Sequence, residues 1–97
     1  MRLTGKAEKD FVEWYRVVDF KSNYKPGLVL FYRYPDSMQY GVFVDFFESE
    51  DIRINIHSEI DYIQAYVNDN DLGNHFQFIK EARTAAIKKA NEIYNLR

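Results

Sequence analysis

The stretch whose reading decides the fold is Tyr40-Gly-Val-Phe-Val-Asp-Phe-Phe47. Read as an extended segment, it puts Tyr40, Val42, Val44 and Phe46 on one face and Gly41, Phe43, Asp45 and Phe47 on the other. Both faces are largely apolar. That pattern predicts a central strand over Met38 to Glu48, buried on two sides or open to a partner on one. Ser49-Glu50 then reads as a tight reversal.

Working outward, Asp51 to His57 alternates strictly. Ile52, Ile54 and Ile56 stand against Arg53, Asn55 and His57, the mark of a half-buried strand with its isoleucines inward. Ser58 to Asp61 turns the chain. Tyr62 to Asn68 alternates again, with Ile63, Ala65 and Val67 inward and Tyr62, Gln64 and Tyr66 outward. Upstream, Leu28 to Tyr34 is short and apolar without clean alternation. A helical turn and a strand both fit it, and the reading leans to a strand.

Two amphipathic helices flank this region. The first runs from Gly5 to Val18 with Thr4 as N-cap. Its apolar face is Ala7, Phe11, Trp14, Tyr15 and Val18. The second runs from Lys80 to Tyr94, with Ala82, Ala86, Ala90 and Ile93 on one face. The polar stretch from Phe20 to Gly27 connects the first helix to the apolar segment at Leu28, ending on a Pro26-Gly27 turn signal. The expected architecture is a single α+β domain over residues 1–97. Its order is α-β-β-β-(β)-α: an antiparallel meander of three or four strands with both helices on one face.

Composition narrows the function classes. The chain has 97 residues, one domain's worth. It has no cysteine, which excludes disulfides and thiolate metal sites. No run approaches the roughly 20 apolar residues of a membrane helix, and the N-terminus lacks the apolar core of a signal peptide. A cytoplasmic location without membrane contact is therefore expected. Aromatic residues make up 18%, so rings either fill the core or stay on a surface for a partner. Charge is segregated. Residues 1–35 hold seven basic and four acidic side chains, residues 36–71 one basic and nine acidic, and residues 72–97 five basic and two acidic. A net charge of −2 argues against purely electrostatic nucleic-acid binding.

No motif indicates catalysis. His57 and His75 are not in a metal-ligand spacing, and no serine sits in a nucleophile elbow. Asp45 among rings could be a perturbed acid, but pairing with Arg53 across the meander is the plainer expectation. Asp69 and Asp71 alternate as calcium ligands do, yet the closing glutamate is missing. The reading is of a non-enzyme with no metal and no cofactor.

The outer face of the expected sheet is the candidate interface. Phe43, Phe47, Arg53, His57, Tyr62 and Tyr66 lie on it by alternation, and two helices cannot cover both faces. Self-association through this face is the expected function, with a heterologous protein partner next and base stacking after that. The alternative is an RNA- or DNA-binding accessory protein using Lys80, Arg83 and Lys88 of the last helix. A third reading takes the acidic middle region as a mimic of nucleic acid.

Two resemblances bear on these readings. Lys80-Glu-Ala-Arg-Thr-Ala-Ala-Ile-Lys-Lys-Ala90 resembles the second helix of double-stranded-RNA-binding domains. Lys80 and Arg83 match two of that family's three phosphate-contacting positions, and Ile79 stands at the first. The family's Gly-Pro-x-His loop has no counterpart in Tyr34-Pro-Asp-Ser-Met38. This likeness implies the fold more than the function. Ser37-Met-Gln-Tyr-Gly-Val-Phe-Val-Asp-Phe-Phe47, Glu81 to Asn95 and the opening Leu3-Thr-Gly-Lys-Ala7 are similar to small uncharacterised proteins carried by phages and mobile elements of gut anaerobes. That likeness implies a setting and a binding role, and no catalytic residues.

Overall fold

The computed structural model describes residues 1–18, 25–73 and 75–97. Of the connection expected from Phe20 to Gly27, residues 20–24 lie outside the described residues, as do Asp19 and the loop residue Asn74. The element order is α1 (Gly5–Val17), α2 (Leu28–Phe31), α3 (Asp36–Ser49), β1 (Ile54–Ser58), β2 (Ile63–Val67), β3 (Asn70–Asp71) and α4 (Ile79–Asn95). The class is α+β, with a three-stranded antiparallel sheet in the order β1-β2-β3 and helices at both ends of the chain.

The largest departure from expectation is Tyr40–Phe47, which is helical. It forms most of α3. The buried residues of α3 are Gln39, Phe43, Phe46 and Phe47, a spacing that fits a helix and no strand. A strand would send Phe43 and Phe46 to opposite faces. The helix puts both against Phe11, with ring centroids 5.0 and 5.5 Å away and edge-on geometry. Burial of three rings on one side outweighs the poor helix preference of Gly41, Val42 and Val44. Leu28 to Tyr34 is likewise no strand. Leu28–Phe31 is one helical turn, and Phe31 joins the same ring cluster. The α-β-β-β-(β)-α order is thus replaced by α-α-α-β-β-β-α.

Both ends of α3 are fixed by local bonds. The Pro35 carbonyl accepts from the amides of Met38 and Gln39 at 3.0 and 3.2 Å. The buried Gln39 side chain donates to the carbonyls of Tyr32 and Tyr34, closing the corner between α2 and α3. At the far end Asp51 takes a left-handed conformation, φ 62°. The Ile52 amide reaches the Phe47 carbonyl at 2.9 Å and the Asp51 amide reaches Glu48 at 3.0 Å. This is a Schellman stop, and Ile52 and Phe47 at its two ends are both fully buried.

α1 is capped by another helix. Thr4 stands at its N-cap, but its side chain makes no capping bond. The Thr4 hydroxyl instead accepts from Asn91 Nδ2 at 2.9 Å. Asn95, one turn further along α4, accepts from the Ala7 amide at 2.8 Å and donates to the Thr4 carbonyl at 2.9 Å. Gly5 has φ +60°, and a Cβ there would lie 3.1 Å from Asn95 Nδ2. Glycine fits this close approach where another residue would crowd it.

α4 lies on one sheet face and also packs against α1 and α3. Ala82, Ala86 and Ala90 are fully buried and let it approach Ala65 and Val67 closely. Ile54 and Val67 oppose each other, as do Ile56 and Ala65, with their side chains toward the helices. The predicted strands at 51–57 and 62–68 are therefore found, shifted by up to three residues at their ends. The third strand is β3, which follows a two-residue turn. Asn68 and Asp69, both at positive φ, connect the Val67–Asn70 pair.

Candidate interaction surface

The hairpin's outward face carries Arg53, Asn55, His57, Tyr62, Gln64, Tyr66 and Asp71. No helix of the described residues covers it. Four of the six predicted interface residues, Arg53, His57, Tyr62 and Tyr66, stand here as alternation requires. Phe43 and Phe47 do not. They are on α3 and fully buried, because helical spacing turns them toward Phe11, Phe31 and Tyr94.

With those two rings gone, the face is polar with aromatic inserts. His57 meets the edge of Tyr66 at a centroid distance of 5.1 Å. The Tyr66 hydroxyl donates to Gln64 Oε1 at 3.0 Å, and Gln64 Nε2 donates to Asp71 Oδ2 at 3.2 Å. Tyr62 stacks on His75 at 4.1 Å. Arg53 pairs with Asp69 at 2.8 Å, both largely exposed. The pairing of Arg53 with Asp45 expected from the meander is not made, since Asp45 sits exposed on α3. A shallow hollow lies between Asn55, His57, Tyr66 and Asp69 on this face.

The edges of the sheet differ. β2 is hydrogen-bonded on both sides, and the Phe76 segment extends the β3 side through reciprocal bonds with Ile63. Among the described residues β1 is paired on one side only. The Asn68 amide donates to the Arg53 carbonyl and the Glu59 amide to the Tyr62 carbonyl, each at 2.8 Å. These bonds fix the parity of the ladder. Odd-numbered residues of β1 face β2, and Ile54, Ile56 and Ser58 turn their N–H and C=O groups outward along the edge.

The basic residues proposed for nucleic acid have different neighbours. Lys80 lies 3.7 Å from Asp36. The Arg83 guanidinium sits 5.3 Å over the Tyr40 ring. Lys88 is exposed and borders clefts on either flank of α4, with acidic Glu92 beside it in both. Two of the three cations are already engaged within the molecule.

Perturbed titration occurs in the packed half. Burial pushes the Tyr94 hydroxyl up strongly, helped by its 2.6 Å hydrogen bond to Asp10. Burial also raises Tyr32 and Tyr40, against the opposing pull of Arg2 and Arg83. None of these groups lies on the sheet's outer face. Among the described residues no group of three or more His, Asp or Glu side chains is placed to hold a metal ion. Among the same residues no helix is long and apolar enough to cross a membrane.

No family model, curated protein or solved structure matches this chain.

Proposed function

We propose that this protein is a non-enzymatic interaction module that self-associates through its sheet. The observation that carries this reading is the one-sided sheet. Its inner face is sealed by α4, while its outer face and the β1 edge are free of partners among the described residues. A small sheet with an unpaired edge is a ready template for another strand. The surface around it holds Tyr66, Tyr62, His57 and Arg53, residue types that recur at protein contacts. Phe43 and Phe47 have no part in the contact. The proposed setting is the cytoplasm of a host carrying a phage or mobile element, in line with the segment resemblances.

The test is light scattering coupled to size exclusion, at low and high salt and over a concentration series. The reading predicts a species of twice the 11.6 kDa chain mass at both salts. A monomer at every concentration contradicts it. Nucleic-acid binding is the second reading, supported by the exposed Lys88 and Lys89 on α4. It ranks lower because Lys80 and Arg83 already have partners and because the sheet region is acidic. It requires an affinity for RNA or DNA that falls steeply with salt and is lost on Lys88→Glu.

A further inference from the structure

The geometry points to a specific occupant for the β1 edge: β1 of a second copy, antiparallel and centred on Ile56. This rests on the reading that the sheet carries the contact, and it names the strand, the register and the pairs.

The sequence around that centre is Arg53-Ile-Asn-Ile-His-Ser-Glu59. A two-fold axis through Ile56 pairs every residue of β1. Ile56 faces Ile56 of the other copy, and Ile54 faces Ser58. These residues point their amides and carbonyls outward, so they form the hydrogen-bonded pairs of the new ladder. The odd-numbered residues then oppose each other at the closer, non-hydrogen-bonded positions. Asn55 meets His57, and Arg53 meets Glu59. Opposite charges fall together at both ends of the junction. The axis stands perpendicular to the sheet, so the isoleucines of both copies stay on the helix side. Polar residues of both stay on the outer side. One continuous six-stranded sheet results, with three strands from each copy.

Neighbouring registers lose these features. Centring on His57 sets two histidines against each other and moves Glu59 onto Asn55. Centring on Asn55 sets the Arg53 cation against His57 and leaves it without a carboxylate opposite. Only the Ile56 register keeps the Arg–Glu pairs. Several of the usual edge deterrents are missing from β1 itself. β1 has no proline and no lysine, and its cross-strand register with β2 runs without a bulge. Its flanking charges are of opposite sign and so favour antiparallel self-pairing.

The chain has no cysteine, so engineered thiols report cleanly. Asn55→Cys and His57→Cys chains are prepared separately; both positions are on the outer face, away from the core, so the fold tolerates the change. Facing residues at non-hydrogen-bonded antiparallel positions sit about 4.5 Å apart at Cα, within disulfide reach. On mild oxidation the mixed chains are expected to cross-link at least ~5-fold more than either alone, since only the mixture places thiols opposite one another. Gln64→Cys, on the same face but one strand inward, is expected to give no comparable cross-link. In parallel, Glu59→Arg is expected to weaken the dimer about fivefold across its two symmetry-related pairs. Adding Arg53→Glu together with Asp69→Asn, which removes the carboxylate that Arg53 pairs with inside its own chain, restores it.

A dimer by light scattering whose mixed thiols link no better than single ones overturns the register and leaves the sheet reading standing. So does a Gln64→Cys chain that links to itself, which means stacking of outer faces. Failure of Arg53→Glu with Asp69→Asn to rescue Glu59→Arg counts against the register in the same way. A parent protein that stays monomeric overturns both the inference and the reading beneath it.

Discussion

The helical half and the sheet half of this chain use aromatic rings in opposite ways. In the helical half Phe11, Phe31, Phe43, Phe46 and Phe47 are at most 2% exposed and pack ring against ring in tilted and edge-on pairs. In the sheet half Tyr62 and Tyr66 remain partly open, each paired with a histidine across or beside the strand. Both halves draw on the same aromatic-rich composition. The difference lies in periodicity. Rings recurring at helical spacing converge on one stripe and become core. Rings recurring at every second residue alternate with isoleucine, alanine and valine, and the outward set stays wet.

Removing a ring from the packed half has the largest expected effect. Phe43→Ala is expected to cost about 3–5 kcal/mol, a large part of the stability of a domain this size. Urea denaturation measures it. A loss below about 1 kcal/mol would mean that Phe43 is not in the core. Carboxylates at Phe43 and Phe47 would unfold the chain, so such variants do not probe association.

The next effect is at the junction between α1 and α4. Asn95→Ala removes the acceptor for the Ala7 amide and the donor to the Thr4 carbonyl. A loss of about 1–2 kcal/mol is expected, measured by thermal unfolding. Thr4→Val should cost less, because the Thr4 hydroxyl does not cap its own helix.

Three tyrosines of the helical half make stability depend on pH. Tyr94, Tyr32 and Tyr40 all have hydroxyls raised above the ordinary value of 10.0. The folded state therefore holds these protons more tightly than the unfolded chain. That contribution is fully present below pH 10 and is lost as the pH climbs above it. Stability is expected to fall above about pH 10, and Tyr94→Phe to flatten that fall. A pH scan of the unfolding midpoint checks both.

The smallest effect lies on the open face. Arg53→Ala breaks an ion pair whose partners are 64% and 70% exposed, so less than about 0.5 kcal/mol of monomer stability is at stake. If Arg53→Ala nonetheless lowers dimer affinity, the two roles of that face separate cleanly.

Much of the sheet is legible in the sequence. Strict alternation at 52–57 and 62–67 places the isoleucines inward and puts Arg53, His57, Tyr62 and Tyr66 together outside. Both long helices are legible from their apolar stripes. The centre misleads. Tyr40–Phe47 is apolar at both parities, so an eight-residue window fits a strand as well as a helix. The deciding signals lie outside it. Gln39 extends the buried stripe by one turn upstream, and the stop at Asp51 uses an aspartate where glycine is usual. The Asn68-Asp69 turn is hidden for a similar reason: it lacks the Asn-Gly form that marks such hairpins. The trans cap of α1 cannot be read at all, since Asn91 and Asn95 are 87 and 88 residues away from Thr4 and Ala7 in the chain.

The most direct measurement is amide hydrogen exchange at Ile56 and Ser58, followed against protein concentration. Both amides point away from β2 and have no strand beside them among the described residues of a single chain. The account predicts fast exchange in dilute protein and marked slowing as the concentration rises, while Asn55 and His57 stay protected throughout. Fast exchange at Ile56 and Ser58 at every concentration, in a sample that light scattering shows to be dimeric, would contradict it.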